Sequence, residues 1–364
     1  MDGYYTKVVP TALLSDAPDL PLSICRLVCT ATGGIAGVGA AYGSEDTDAY
    51  RSMLFCAAVD KQWYASLLGL QIGKDDWPFV GLPLELVGDR GPGESKAMAP
   101  DDDCVLLPDR GMAPSFTPQS KATVESSHPR EMAEQGPPSY KQSSLTALGL
   151  MGREMLQAIK DNECSDASSR LTPEMVADRV AANPHAIFRW LNARGRSDAM
   201  TISREVAVRR YLKPVTFTLN AQGLWLLSLR FDSTALRESG IRNLVCKGQT
   251  IDLPGFVLPL CVRTCWLDAG ERLIEVQGQL ALRDNDEQLY MSWQELEQYD
   301  RGIRAIRAEH REHAPAARSA VETSFSTQSG VDWDAGRRRG GKPPSRSARR
   351  KHGMPRFPRG KRRR

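Results

Sequence analysis

Val215-Thr216-Phe217-Thr218-Leu219, then Asn220-Ala221-Gln222-Gly223, then Leu224-Trp225-Leu226-Leu227-Ser228-Leu229-Arg230-Phe231 is the stretch that decides the fold class. Two runs rich in β-branched and aromatic residues flank a polar segment ending in glycine, which is the signature of a hairpin. Short β-type runs continue through Ile241–Cys246, Phe256–Trp266, Arg272–Val276 and Gln279–Leu282, with a helical turn near Thr234–Glu238. Their spacing predicts a small antiparallel sheet or barrel over residues 213–290.

Upstream, residues 143–212 read as helices. Leu145, Leu148, Met151, Met155 and Ile159 recur at three- and four-residue steps and share one face. Thr172-Pro173 and Asn183-Pro184 each place a capping side chain before a proline at the first helical position. The helix after Asn183 carries Ile187, Phe188, Trp190 and Leu191, and one or both of the large aromatics must be core. Three helices followed by a hairpin resemble a winged helix-turn-helix. The resemblance implies that the later helix faces nucleic acid, with Arg189, Arg194 and Arg196 as contacts beside His185 and Asn192. The competing expectation is a plain helical cluster bracing the sheet, or a winged helix used on protein.

Residues 1–88 read as a mostly helical N-terminal domain. Leu22–Thr30 and Thr47–Val59 are expected as helices joined by a flexible glycine-rich segment, Gly33–Gly39. That segment lacks the Gly-Lys-Ser/Thr of a phosphate loop and reverses the order of a dinucleotide fingerprint. Runs at Trp63–Ile72 and Phe79–Val87 fit helix or strand. Between residues 89 and 142 the apolar periodicity stops; eight prolines and the acidic Asp101-Asp102-Asp103 predict a disordered linker. At the other end, Ser292 with Glu295 forms a capping-box pattern. It starts a helix over 291–314 with Leu296, Tyr299, Ile303 and Ile306 on one face, and Arg301, Arg304, Arg307 and Arg311 in a stripe beside it. That stripe could extend a phosphate track from the folded part into the tail, but glutamates interleaved with the arginines favour helix-stabilising ion pairs on a solvated face.

The fold expected is therefore α+β. It comprises a small helical domain, a linker, a winged-helix-like unit leading into a β-sheet or barrel, and a disordered basic tail over 315–364. Residues 335–364 hold fourteen Lys or Arg and no acid: Arg337, Arg338, Arg339, Lys342, Arg346, Arg349, Arg350, Lys351, Arg356, Arg359, Lys361, Arg362, Arg363 and Arg364. Residues 1–140 carry ten Lys or Arg against nineteen Asp or Glu, so an acidic body bears a polycationic arm. Such an arm grips phosphates by releasing counterions, without reading sequence. The expected function is nucleic-acid binding without catalysis, RNA favoured as partner. The alternatives are a viral-type coat or nucleocapsid protein that self-assembles around its genome, and an adaptor whose tail serves only nuclear import receptors.

No histidine neighbours a nucleophile elbow or a carboxylate pair with an evident task, so no catalytic residue is assigned. Cys261, Cys265, His310 and His313 are a candidate Cys₂His₂ set, but their spacing lacks cysteine knuckles, and core cysteines explain them better. No metal, cofactor or membrane partner is expected. The start shows no secretory signal, which places the chain in the nucleus, nucleolus or cytoplasm with reduced thiols.

Overall fold

Leu22–Val28 is a strand, not a helix, in the computed structural model of the chain. The structure describes residues 1–6, 8–13, 17–88, 109–112, 127–128, 140–246, 248–280 and 286–336. Two compact units divide it, residues 1–303 and 304–364.

Within the first unit, β1 (Asp2–Tyr5) pairs antiparallel with β3 (Leu22–Val28), which pairs antiparallel with β4 (Ile35–Tyr42); β2 is the two-residue strand Val8–Val9. Six consecutive residues of β3, from Leu22 to Leu27, are buried. A strand covered on both faces loses its polar alternation and reads like a buried helix, which is why the helical expectation fails there. The glycine-rich segment expected as a flexible connection is β4 itself. It runs beneath α1 (Thr47–Ala58), whose N-cap Asp46 accepts from the Ala49 amide at 2.9 Å. A Cβ on Gly39 would stand 2.3 Å from the Ala49 carbonyl oxygen and 2.4 Å from the Met53 nitrogen. Glycine here permits close helix-on-strand packing. The shorter α2 (Lys61–Leu67) follows, so residues 1–88 are a helix-covered sheet and not a mostly helical unit.

Next come β5 (Glu85–Gly88) and β6 (Asp109–Met112), paired in parallel. The Met1 amino group donates to the Val87 carbonyl at 2.7 Å, which sets the start of β1 beside β5. Part of the segment expected as linker is thus a strand. Most of it, including Cys104 and Asp101–Asp103, lies outside the described residues.

After the two-residue β7 (Lys141–Gln142), the helices are α3 (Ala147–Cys164), α4 (Pro173–Ala177), α5 (Pro184–Ala193) and α6 (Arg204–Tyr211). Thr172 and Asn183 cap α4 and α5 as expected, accepting from the Met175 amide at 3.3 Å and the Ala186 amide at 2.8 Å. Phe188 and Trp190 are both buried. The hairpin that follows is not a wing, because it is part of a closed barrel. Its strands β8 (Lys213–Asn220), β9 (Gly223–Leu226), β10 (Leu229–Asp232), β11 (Thr250–Leu258), β12 (Cys261–Asp268) and β13 (Leu273–Gln279) close in the order β10-β13-β12-β11-β8-β9. Between β10 and β11 sits α7 (Thr234–Glu238), where a helical turn was expected, but Ile241–Leu244 is a 3-10 turn and not a strand.

Period-two alternation sends Phe217 and Leu219 of β8, Phe231 of β10, and Ile274 and Val276 of β13 into the barrel. A second core joins the N-terminal sheet, α1, α3, α5 and α6 to Leu258, Leu260, Cys261 and Trp266 at the barrel's edge. The barrel and the N-terminal sheet are therefore one packed body.

The last helix, α8 (Trp293–Ser329), opens with the expected capping box. Glu295 accepts from the Ser292 amide at 2.7 Å and hydroxyl at 2.8 Å, and the Ser292 hydroxyl accepts from the Glu295 amide at 3.2 Å. Leu296 is buried against the barrel, whereas Ile306 is exposed. The helix continues through Pro315 to Ser329 where a disordered tail was expected. Ring packing of Phe325 on Trp333, 5.2 Å between centroids, folds the chain back beyond its end. No helix among the described residues is long and apolar enough to cross a membrane.

Candidate functional site

The face of the N-terminal sheet that meets α3 holds a fully buried arginine. Arg26 lies in the middle of the apolar strand β3, directly opposite Asp2 of β1. Its guanidinium donates to Asp161 Oδ2 at 3.2 Å, to Glu154 Oε2 at 3.5 Å and to the Ser127 carbonyl, and lies 5.3 Å from the centre of the Tyr4 ring. Glu154 also accepts from the Tyr4 hydroxyl at 2.5 Å and from Arg153 at 3.1 Å. Burial pushes the Tyr4 phenol far above its ordinary range, against the lowering influence of Arg26, so it stays a donor at any physiological pH.

The reason for this network is local. A buried guanidinium is costly without paired charge and filled donors, and α3 supplies both carboxylates one face-repeat apart. Of the Arg26 guanidinium, Nε is buried with no hydrogen-bond partner among the described residues. The ring of His128 stands 4.9 Å from that of Tyr4 and closes the cluster on one side. Alongside is a polar cavity of about 440 Å³, lined by Thr32, Ser127, His128, Gln157, Asp161 and Arg170 among others. Its floor is fixed by Asn162, which accepts from the Ile35 amide at 2.7 Å and donates to the Ile35 carbonyl at 3.0 Å. Register sets Asp2 opposite Arg26, and the Met1 hydrogen bond brings the end of β5 beside the start of β1.

The arginines expected to meet nucleic acid fall elsewhere. Arg194 is 2.5 Å from Asp178 and sits over the Trp190 ring, 4.0 Å from its centre; Arg196 is 2.7 Å from Glu174. Both serve first as bracing between α4 and the end of α5. Arg189 is exposed on α5. His185, on the same helix, is turned to the Asp75 carbonyl at 2.8 Å. The fourteen basic residues from Arg337 to Arg364 lie outside the described residues, as do Phe357 and His352.

Four cysteines are core residues, whereas Cys164 and Cys246 are exposed. Cys25, Cys56, Cys261 and Cys265 are buried, and burial pushes the Cys261 thiol up to about 12, far from a thiolate at neutral pH. Cys25 and Cys29, expected on a helix, stand on and just beyond β3. Among the described residues no three His, Cys, Asp or Glu side chains gather into a metal-binding group.

Sequence reasoning passed over Arg26 and Glu154. Both were legible as anomalies: a lone cation inside Leu22-Ser23-Ile24-Cys25-Arg26-Leu27-Val28, and an acid among Leu150, Met151, Met155 and Ala158 on the apolar face of a helix. Buried charges of that kind are rarely left unpaired.

This sheet, with its packed helices, is also where the chain resembles known proteins. Residues 21–134 match the family described as the TnsB C-terminal domain. The matched segment begins just before β3 and includes β4, α1, α2, β5 and β6, under a third of the chain. No curated protein matches the chain. A nucleic-acid-binding role fits the TnsB match and the arginine-rich C-terminal sequence alike.

Proposed function

We propose that this chain is a DNA-binding component of a transposition machinery. The observation that carries the reading is the TnsB C-terminal domain match over residues 21–134. Attached to the same chain is a terminal sequence with fourteen cations and no acid, suited to phosphate contact without sequence readout. The match lends RNA no preference, and DNA is the partner proposed. In the test, the purified chain is titrated against labelled duplex DNA and single-stranded RNA of equal length across a salt series. Tighter binding to the duplex is expected. Equal or tighter binding to the RNA would overturn the DNA assignment.

A further inference from the structure

In the second unit, α8 presents a line of arginines, three of which, Arg307, Arg311 and Arg318, have no ion-pair partner among the described residues. Successive residues of an α-helix turn by about 100° and rise about 1.5 Å. Arg304, Arg307, Arg311 and Arg318 therefore fall within a sector of about 60° and extend over about 21 Å. All four are exposed. Interleaved acids suggest neutralisation when the sequence is read in a line, but the helix separates them. Glu309 and Glu312 project about 140° and 80° from Arg304, away from the stripe, while Asp300, one turn before Arg304, and Glu322, beyond Arg318, share its sector. Among the described residues no ion pair joins Arg307, Arg311 or Arg318 to a carboxylate, while the arginines of the first unit that flank α4 and α5 are paired at 2.5 to 2.7 Å.

From this placement we infer that the arginine stripe of α8 is a phosphate-binding surface for duplex DNA. It is a folded contact separate from, and additional to, the basic sequence after Gly336. The inference rests on the DNA-binding reading above and deepens it. A rigid row of guanidinium groups meets a line of phosphates at little cost in side-chain ordering, since the helix has already fixed their spacing. Duplex DNA, with one charge per about 1.7 Å of axis, offers several phosphates along such a length. A single-stranded chain offers no fixed spacing to match. An acidic protein surface is the rival occupant that the experiment separates.

The full chain carrying Arg307→Gln, Arg311→Gln and Arg318→Gln is compared with the parent and with Glu309→Gln/Glu312→Gln on the opposite face. Circular dichroism confirms that helix content is kept in each. For duplex DNA, the slope of log affinity against log salt should fall by about 3 in the arginine variant, at roughly 0.9 per lost phosphate contact. In the glutamate variant it should not fall. A parent that binds DNA and an arginine variant with an unchanged slope would overturn the stripe's role while sparing the general reading. A parent without DNA affinity would overturn both. Equal losses of slope for RNA and duplex would also sink the claim that the stripe is matched to duplex.

Discussion

Arg26 shows how one residue constrains a whole sheet face. Its charge is balanced by Glu154 and Asp161, and Tyr4 is held by the same glutamate. Removing one partner leaves a buried charge short of compensation, a larger loss than the pair's own net contribution. Glu154→Ala is expected to destabilise the chain by about 3 kcal/mol in urea unfolding, on the scale of a broken buried ion pair. A change below about 0.5 kcal/mol, the usual size of a surface substitution, would mean the cluster is ornamental. Asp232 offers a pH-dependent counterpart. Burial alone would raise its carboxyl, yet hydrogen bonds from Arg237 at 2.7 Å and the charge of Arg242 at 2.6 Å bring it below its ordinary value. With the folded value depressed, the contribution is fully present above the unfolded aspartate value and disappears as pH falls through the folded one. Stability should therefore drop on acidification below about pH 4, and Asp232→Asn should lessen that drop. Parallel acid-unfolding curves for the two proteins would contradict the assignment.

For the individual elements, spacing on the page and packing in space part company most clearly at β3 and β4. A glycine-rich segment beside an apolar run has the look of a loop after a helix, because neither shows the alternation of a half-exposed strand. What makes both segments strands is the cover on each face, by α1 on one side and α3 on the other. The Gly39 contact with the α1 backbone gives a direct test. Gly39→Ala forces a methyl against the Ala49 carbonyl and the Met53 nitrogen, neither of which is a flexible side-chain tip. A loss of about 1–3 kcal/mol is expected in thermal or denaturant unfolding, the range for overpacking a close-fitting interior. Capped helices, by contrast, were read correctly from short motifs: Thr172-Pro173, Asn183-Pro184 and Ser292 with Glu295 all form the hydrogen bonds their residue types promise. Caps depend on three or four neighbouring residues, and so carry their meaning locally.

At the scale of the molecule, the acidic N-terminal half and the cationic C-terminal sequence divide the work of stability and attraction. Residues after Gly336 supply fourteen positive charges, while the described cores are built without them. A chain ending at Gly336 should thus keep its unfolding midpoint within about 1 °C of the parent. It should also lose most of the salt dependence of DNA binding, retaining the part contributed by α8. An unfolding midpoint that falls by several degrees would show the arm to be part of the fold. An unaltered salt slope would show that the body alone holds the DNA.

Local sequence by itself determined the helix caps, the barrel hairpin, the apolar face of α3 and the polybasic terminus, since each is set by residues a few positions apart or by composition. Only the tertiary structure decided that β3 and β4 are strands, that the hairpin closes a barrel and is not a wing, and that Arg194 and Arg196 brace helices. The same holds for Asp2, Arg26 and Glu154 meeting on one sheet face, and for Glu309 and Glu312 standing apart from Arg307, Arg311 and Arg318 on α8. The physical reason is common to all of these. Burial on two faces, strand partners far apart in the chain and the angular position of a charge are properties of the packed molecule, and no short window of sequence contains them.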